Sequence, residues 1–274
     1  MSTGANFSVY GISSRMLAED SIEEVAVELR VNGYAILDSG FTPEFLDVIK
    51  DDLERVYKSQ AQELGGEDEL LRMKDADTAR CVLSYEPRFV EVATSPALMR
   101  LATKVLGHEF VLLQQNGIIN RHDRANQQAA WHRDLAYQHW TSSKTLAINA
   151  LLCLDDFTFE NGATLVLPGT HHIEEFPTEK FVSKFEKQIA APAGSFLVLD
   201  AMLFHRAGIN MSSRVRRAVN HVIGLPFMAQ QVDIPSAFAS TGAPAPKDPA
   251  IRKYLGYKWA PAVSAIDWRT RRVR

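Results

Sequence analysis

The first third of the chain carries apolar residues at helical spacing. Ser21-Ile-Glu-Glu24 has the form of a capping box, Ile22, Val25, Val27 and Leu29 give the helix its apolar positions, and Asn32-Gly33 stops the run. A short strand is expected at Tyr34 to Leu37. Thr42-Pro43 then reads as a cap with proline at the first helical position, and Phe45, Leu46, Ile49, Leu53 and Val56 continue it as a second, longer helix. Residues 60 to 80 are polar, acidic and broken by Gly65-Gly66, so a mobile excursion is expected there, as readily inert surface as an active-site lid. From about residue 109 the period changes. FVLLQQ, GIIN, LAINALLCL, ATLVLP, SFLVL and RRAVNHVIGL are short β-rich runs separated by turn formers such as Glu160-Asn161-Gly162 and Pro168-Gly169. Runs at this spacing predict an antiparallel sandwich or barrel rather than βαβ units. The tail from 231 on reads as a wrapped extension with a helix at 248 to 255.

This pattern predicts one domain over 1–274: a helical part to about 105, a β core over about 106–230 and the extension after it. At 274 residues, 46% hydrophobic and 23% charged, the chain can bury one large core. A net charge of −3 argues against nucleic acid as a partner. Arg269, Arg271, Arg272 and Arg274 crowd the end of the chain and read as a solvated tail. The absence of a long apolar run argues against a membrane, and the N-terminal MSTGANFSVYG lacks the features of a signal peptide, so a cytoplasmic location is expected. Cys81 and Cys153 fit no metal or redox spacing and read as reduced core thiols. Nothing in the sequence indicates an oligomeric state.

The stretch AAWHRDLAYQHW places His132 and Asp134 two apart among apolar residues, where an ionisable group without a partner is costly. In a strand, residues i and i+2 point to one face with α-carbons about 6.6 Å apart, so the pair can converge on one metal ion. His205, after the run Gly194 to Leu199, offers a third ligand. Two histidines and a carboxylate make the facial triad of non-haem Fe(II), which leaves three positions open: two for a bidentate 2-oxo acid and one for O2. The far carboxylate of such a co-substrate calls for an arginine fork. Arg214, Arg216 and Arg217 are available. Arg216, Ala218 and Asn220 share one face of the strand and Arg217, Val219 and His221 the other; the smaller first set suits a pocket, while parity alone leaves open which face is inside.

WHRD, ENGATLVLPGTHH and GSFLVLDAMLFHRAGINMSSRVRRAVN, in this order, resemble the phytanoyl-CoA dioxygenase family of Fe(II)/2-oxoglutarate oxygenases over roughly residues 20 to 230. The resemblance implies a mainly β fold with flanking α-helices around a double-stranded β-helix (jelly-roll, cupin-like) core, with His132, Asp134 and His205 as iron ligands. It also implies Arg216, eleven residues past the distal histidine, as the anchor of the 2-oxoglutarate C5 carboxylate. Asn161, Gly162, Pro168, Gly169, Thr170 and His171 match a segment that sets sheet geometry. Where the family's namesake has glutamine and serine, this chain has Arg133 and Ala207, so the second 2-oxoglutarate contact must lie elsewhere; Asn149 is the candidate.

The activity implied is oxidation, by default hydroxylation, of a C–H bond of a small organic substrate, with 2-oxoglutarate decarboxylated to succinate and CO2. Retention of Asp134 argues against halogenation. Arg133, Gln138 and Arg206 are candidate substrate contacts, and Trp131, Tyr137 and Trp140 a candidate apolar wall. The alternatives are a cupin-type metal protein or a non-catalytic jelly-roll binding module, neither of which needs Arg216. His172-Ile-Glu174 mimics half a triad but follows a turn. His122 and Asp123 would face opposite ways on a strand, and His108, His139 and His221 lack spacing partners.

Overall fold

A computed structural model describes residues 18, 20–122, 127–135 and 140–271. Its strands are β1 (Tyr34–Asp38), β2 (Thr78–Ala79), β3 (Val111–Asn120), β4 (Ala147–Cys153), β5 (Leu165–Val166), β6 (Lys187–Gln188), β7 (Ser195–Asp200), β8 (His205–Arg206) and β9 (Arg216–Gly224). They form a six-stranded sheet, β1-β7-β4-β9-β3-β2, and a three-stranded sheet, β6-β5-β8, with antiparallel neighbours throughout. This is a jelly-roll core flanked by helices.

The side-chain period of two divides the large sheet into two faces. Ile118, Cys153, Leu197, Leu199 and Ala218 point toward the small sheet and pack with Phe157, Ala163, Val166 and Ile189. Ile148, Ala150, Leu152, Val198, Val219 and Ile223 point the other way. They bury Leu29 of the helix Ser21–Asn32, Ile49 and Leu53 of Pro43–Glu63, and Leu101 of Pro96–Leu106. The parity question is thereby answered: Arg216, Ala218 and Asn220 face the interior of the jelly-roll.

Several elements differ from the pattern reading. The first helix is capped by Asp20, whose carboxylate accepts from the N–H groups of Ile22 and Glu23, so Ser21 is its first residue rather than its cap. FVLLQQ and GIIN are one strand, β3; Gly117 does not break it but lets Leu53 of the covering helix pack directly on the backbone. The supposed excursion at 60–80 is ordered structure. The long helix runs to Glu63, Gly65 and Gly66 turn the chain at positive φ, a helix spans Glu67–Arg72, and β2 pairs with β3. The helices Arg88–Ala93 and Pro96–Leu106 were not anticipated. The extension carries helices at Ile234–Thr241, Pro249–Tyr254 and Ala265–Thr270, and Ile234, Phe238 and Tyr254 join the core beneath the large sheet. Arg271 pairs with Asp267 at 2.7 Å, whereas Arg272 and Arg274 lie outside the described residues. No described helix is long and apolar enough to cross a membrane.

Candidate metal centre and co-substrate pocket

His132 and His205 meet as an isolated antiparallel bridge at the edge of the small sheet, beyond β8. Each backbone N–H donates to the other's carbonyl at 3.0 Å, and Asp134 N–H donates to Ala201 O at 3.0 Å. Extended backbone turns the side chains of residues 132 and 134 the same way. The result is one cluster in which a nitrogen of His132, a nitrogen of His205 and a carboxylate oxygen of Asp134 all lie within 4.8 Å of one another. Among the described residues no other group of three ligand-type side chains converges in this way.

The ring orientations suit metal binding. Nδ1 of His132 is 2.8 Å from Ala130 O and Nδ1 of His205 is 2.9 Å from Leu203 O. A carbonyl only accepts, so both Nδ1 atoms carry the proton and each Nε2 keeps a lone pair for a metal. Burial of His205 lowers its pKa, which favours the neutral ligand form. Asp134 Oδ2 accepts from Asn149 Nδ2 at 2.6 Å, which holds the carboxylate in place. Asn149 thus holds the Asp134 carboxylate with one N–H of Nδ2, which keeps a second N–H, while its buried Oδ1 is unmatched.

Arg216 lies on the inner face of β9, fully buried, with its guanidinium 4.2 Å from the Phe157 ring. Burial lowers its pKa to about 10, so it stays charged at neutral pH, yet Nε and Nη1 have no hydrogen-bond partner. A buried charge with two unmatched donors is costly unless a ligand answers it, and a carboxylate fits the fork. Arg217, on the opposite face, is occupied by Glu54 at 2.8 Å and Asp155 at 3.3 Å, and Arg214 sits exposed before the strand. Asn220, two inward positions along β9 from Arg216, is buried, makes no side-chain hydrogen bond to a described residue, and leaves Oδ1 unmatched. Its shared parity with Arg216 was the sequence signal for it. These donors and this cation fit an Fe(II) ion and a dicarboxylate.

The expected substrate contacts fare differently. Arg133 points away from the ligand cluster: Nη1 donates to Glu174 O at 3.2 Å, Nη2 donates to Thr170 O at 3.0 Å and to Ile173 O, and the guanidinium covers the Phe204 ring. Arg206 also points outward, to Glu186 at 3.2 Å and over the Trp131 ring. The reason is parity, since neighbours of an inward ligand in a strand must face out. Trp131 shares that outer face and so does not wall the interior. Gln138, Tyr137 and His139 lie outside the described residues, and Trp140 is exposed. His171 and His172 both contact Arg30 O, and His221 is sealed in the core between Ala150 O and Gln115.

Fold and centre together define the class of non-haem Fe(II)/2-oxoglutarate-dependent oxygenases. Within it the chain belongs to the phytanoyl-CoA dioxygenase family, whose family model matches residues 29–218. The protein Rv1501 of Mycobacterium tuberculosis is 30% identical over 220 residues, 78% of this chain and 79% of that protein. The dioxygenase af480 of Aspergillus fumigatus is 24% identical over 265 residues, 89% of this chain and 82% of that protein. Among solved structures, the α-ketoglutarate-dependent epimerase SnoN from nogalamycin biosynthesis superposes with a TM-score of 0.58 at 17% identity, covering 75% of this chain and 84% of that one. Iron-bound HygX from Streptomyces hygroscopicus superposes with a TM-score of 0.57 at 16% identity, covering 78% and 89%. Both superpositions speak to the fold. As a member of this family the enzyme depends on Fe(II), 2-oxoglutarate and O2.

Proposed function

We propose that the enzyme hydroxylates a C–H bond of a small organic metabolite, converting 2-oxoglutarate to succinate and CO2 in the same cycle. His132, Asp134 and His205 hold the iron, and Arg216 grips the distal carboxylate of 2-oxoglutarate. The observation that carries this reading is Arg216: a fully buried guanidinium with two unmatched donors, on the same interior as a three-ligand cluster. A cupin-type metal protein or a plain binding module gains nothing from that cation.

Iron and 2-oxoglutarate, when bound, supply the oxidising chemistry by activating O2 at the expense of the 2-oxo acid. The chain's own residues prepare the site. The two Nδ1–H bonds fix which nitrogen each histidine presents, and Asn149 fixes the Asp134 carboxylate. Arg216 binds one end of the dicarboxylate, and Phe157 beneath it keeps water from competing for the guanidinium. Asn220, between Arg216 and the metal-proximal Val222–Asn149 pair, supplies the second 2-oxoglutarate contact through its amide N–H. Both cysteines are buried free thiols, which supports a reducing compartment such as the cytoplasm as the place of work.

The test is a metabolite screen that follows succinate release and product mass under 18O2. A substrate-dependent gain of one labelled oxygen supports hydroxylation; a product that has lost two hydrogens, or is isomeric with its substrate, replaces it with another outcome on the same site.

A further inference from the structure

The ligand strand enters the small sheet through a single bridged pair, with Asp134 N–H on Ala201 O and Ala207 N–H on Gln128 O to either side. The side chains flanking that pair reinforce it. In the antiparallel register Trp131 lies across from Arg206, and Arg133 across from Phe204, all four on the outer face. Both cross-strand pairs are cation–π contacts: Arg206 Cζ is 5.0 Å from the Trp131 ring centroid and Arg133 Cζ is 3.9 Å from that of Phe204. Phe176 closes the gap between them, 6.1 Å from Trp131 and 4.9 Å edge-on to Phe204. The loop that brings Phe176 there is held by the Arg133 fork on the carbonyls of Thr170, Ile173 and Glu174. Thr170 in turn accepts the Phe204 N–H on its hydroxyl at 3.2 Å.

From this arrangement we infer that Trp131, Arg133, Phe204 and Arg206, latched by Phe176, are positioning residues for the iron ligands: a clamp on the outside of the bridge that sets the His132–His205 geometry inside. Each clamp residue on the two strands is the immediate neighbour of a ligand histidine, so a shift on the outer face moves a ligand on the inner one. The inference rests on the proposed metal role of the triad. Phe176 is its most telling member. It is half exposed and its ring contacts are with Trp131 and Phe204, neither of them a metal ligand, so a role confined to packing predicts no effect on the metal.

The experiment titrates Co(II), as a spectroscopic probe, anaerobically into the full chain and into Phe176→Ala, Phe176→Leu, Arg133→Lys and His132→Ala variants, with Tm measured alongside. The clamp predicts a Co(II) dissociation constant raised about tenfold or more in Phe176→Ala and Arg133→Lys, as for loss of other groups that orient metal ligands. It also predicts altered visible d–d bands, partial rescue by leucine, and an unchanged 2-oxoglutarate KM at saturating metal. Parental affinity and band shape in both variants, with or without a lowered Tm, overturn the clamp while leaving the triad standing. A parent chain with no Co(II) site that His132→Ala removes overturns the metal assignment itself, and the clamp with it.

Discussion

His132 and His205 donate their backbone N–H groups to each other's carbonyls at 3.0 Å, while their rings tilt together with centroids 4.4 Å apart. The metal centre is therefore built on a backbone pairing that does not depend on either imidazole ring. Replacing one ring leaves that pairing intact. His132→Ala is expected to abolish Fe(II) binding and turnover with far-ultraviolet circular dichroism unchanged; full activity in this variant removes the triad assignment.

Arg216 and Asn149 are expected to separate the two halves of the site. Arg216→Ala loses a charge-assisted bidentate contact of about 2–3 kcal/mol. Its 2-oxoglutarate KM should rise about a hundredfold with iron content near normal. Asn149→Ala should do the reverse, weakening iron about tenfold through the Asp134 carboxylate while the 2-oxoglutarate KM at saturating iron stays close to normal. Steady-state kinetics with iron quantified for each variant checks both.

Asn220→Ala should raise the 2-oxoglutarate KM several-fold, by roughly the ~1 kcal/mol of a neutral hydrogen bond, and leave iron affinity unchanged. Isothermal titration of 2-oxoglutarate into the anaerobic iron-loaded variant reads this directly. An unchanged affinity takes Asn220 out of the co-substrate site.

His221 governs a stability term far from the chemistry. It is fully buried, with Nδ1 donating to Ala150 O and Nε2 accepting from Gln115, and burial lowers its pKa from 6.5 to about 4. The unfolded chain then binds a proton that the folded chain refuses between those values. Stability should fall as pH drops from about 6.5 to about 4, by about 3 kcal/mol from this group. Urea unfolding of His221→Leu across that window should show a shallower slope than the parent.

Gly162 sits at φ +77°, and a Cβ there would come within 2.5 Å of Gly208 O. Gly162→Ala should cost about 2 kcal/mol or more, through left-handed backbone strain and the displaced 208–209 loop. A thermal melt measures it.

Much of this was legible in the chain itself. The β runs from 109 onward, the long helix after Thr42-Pro43 and the i, i+2 spacing of His132 and Asp134 are local signals, and the structure carries all of them. Parity grouped Arg216 with Asn220, but which face was inside depended on long-range packing against Val166 and Phe157, which no local pattern encodes. The same parity, applied to the ligand strand, would have turned Arg133 and Arg206 outward. Ser21 was mistaken for the cap because Asp20 offers the same chemistry one residue earlier. The helix Pro96–Leu106 was passed over although Pro96, with Leu98, Leu101 and Ala102 at helical spacing, carries a local signal for it. Order over 60–80 comes from β2 pairing with β3 and from Gln60 holding Arg80, contacts 20 or more residues apart in sequence.

The most direct test of the central claim is anaerobic. Fe(II) is added to the purified chain, 2-oxoglutarate is titrated in, and the visible metal-to-ligand charge-transfer band of the chelate is followed. A saturable band is expected in the parent, lost or strongly right-shifted in its titration in Arg216→Ala. Bound iron with no band at any 2-oxoglutarate concentration would contradict that claim.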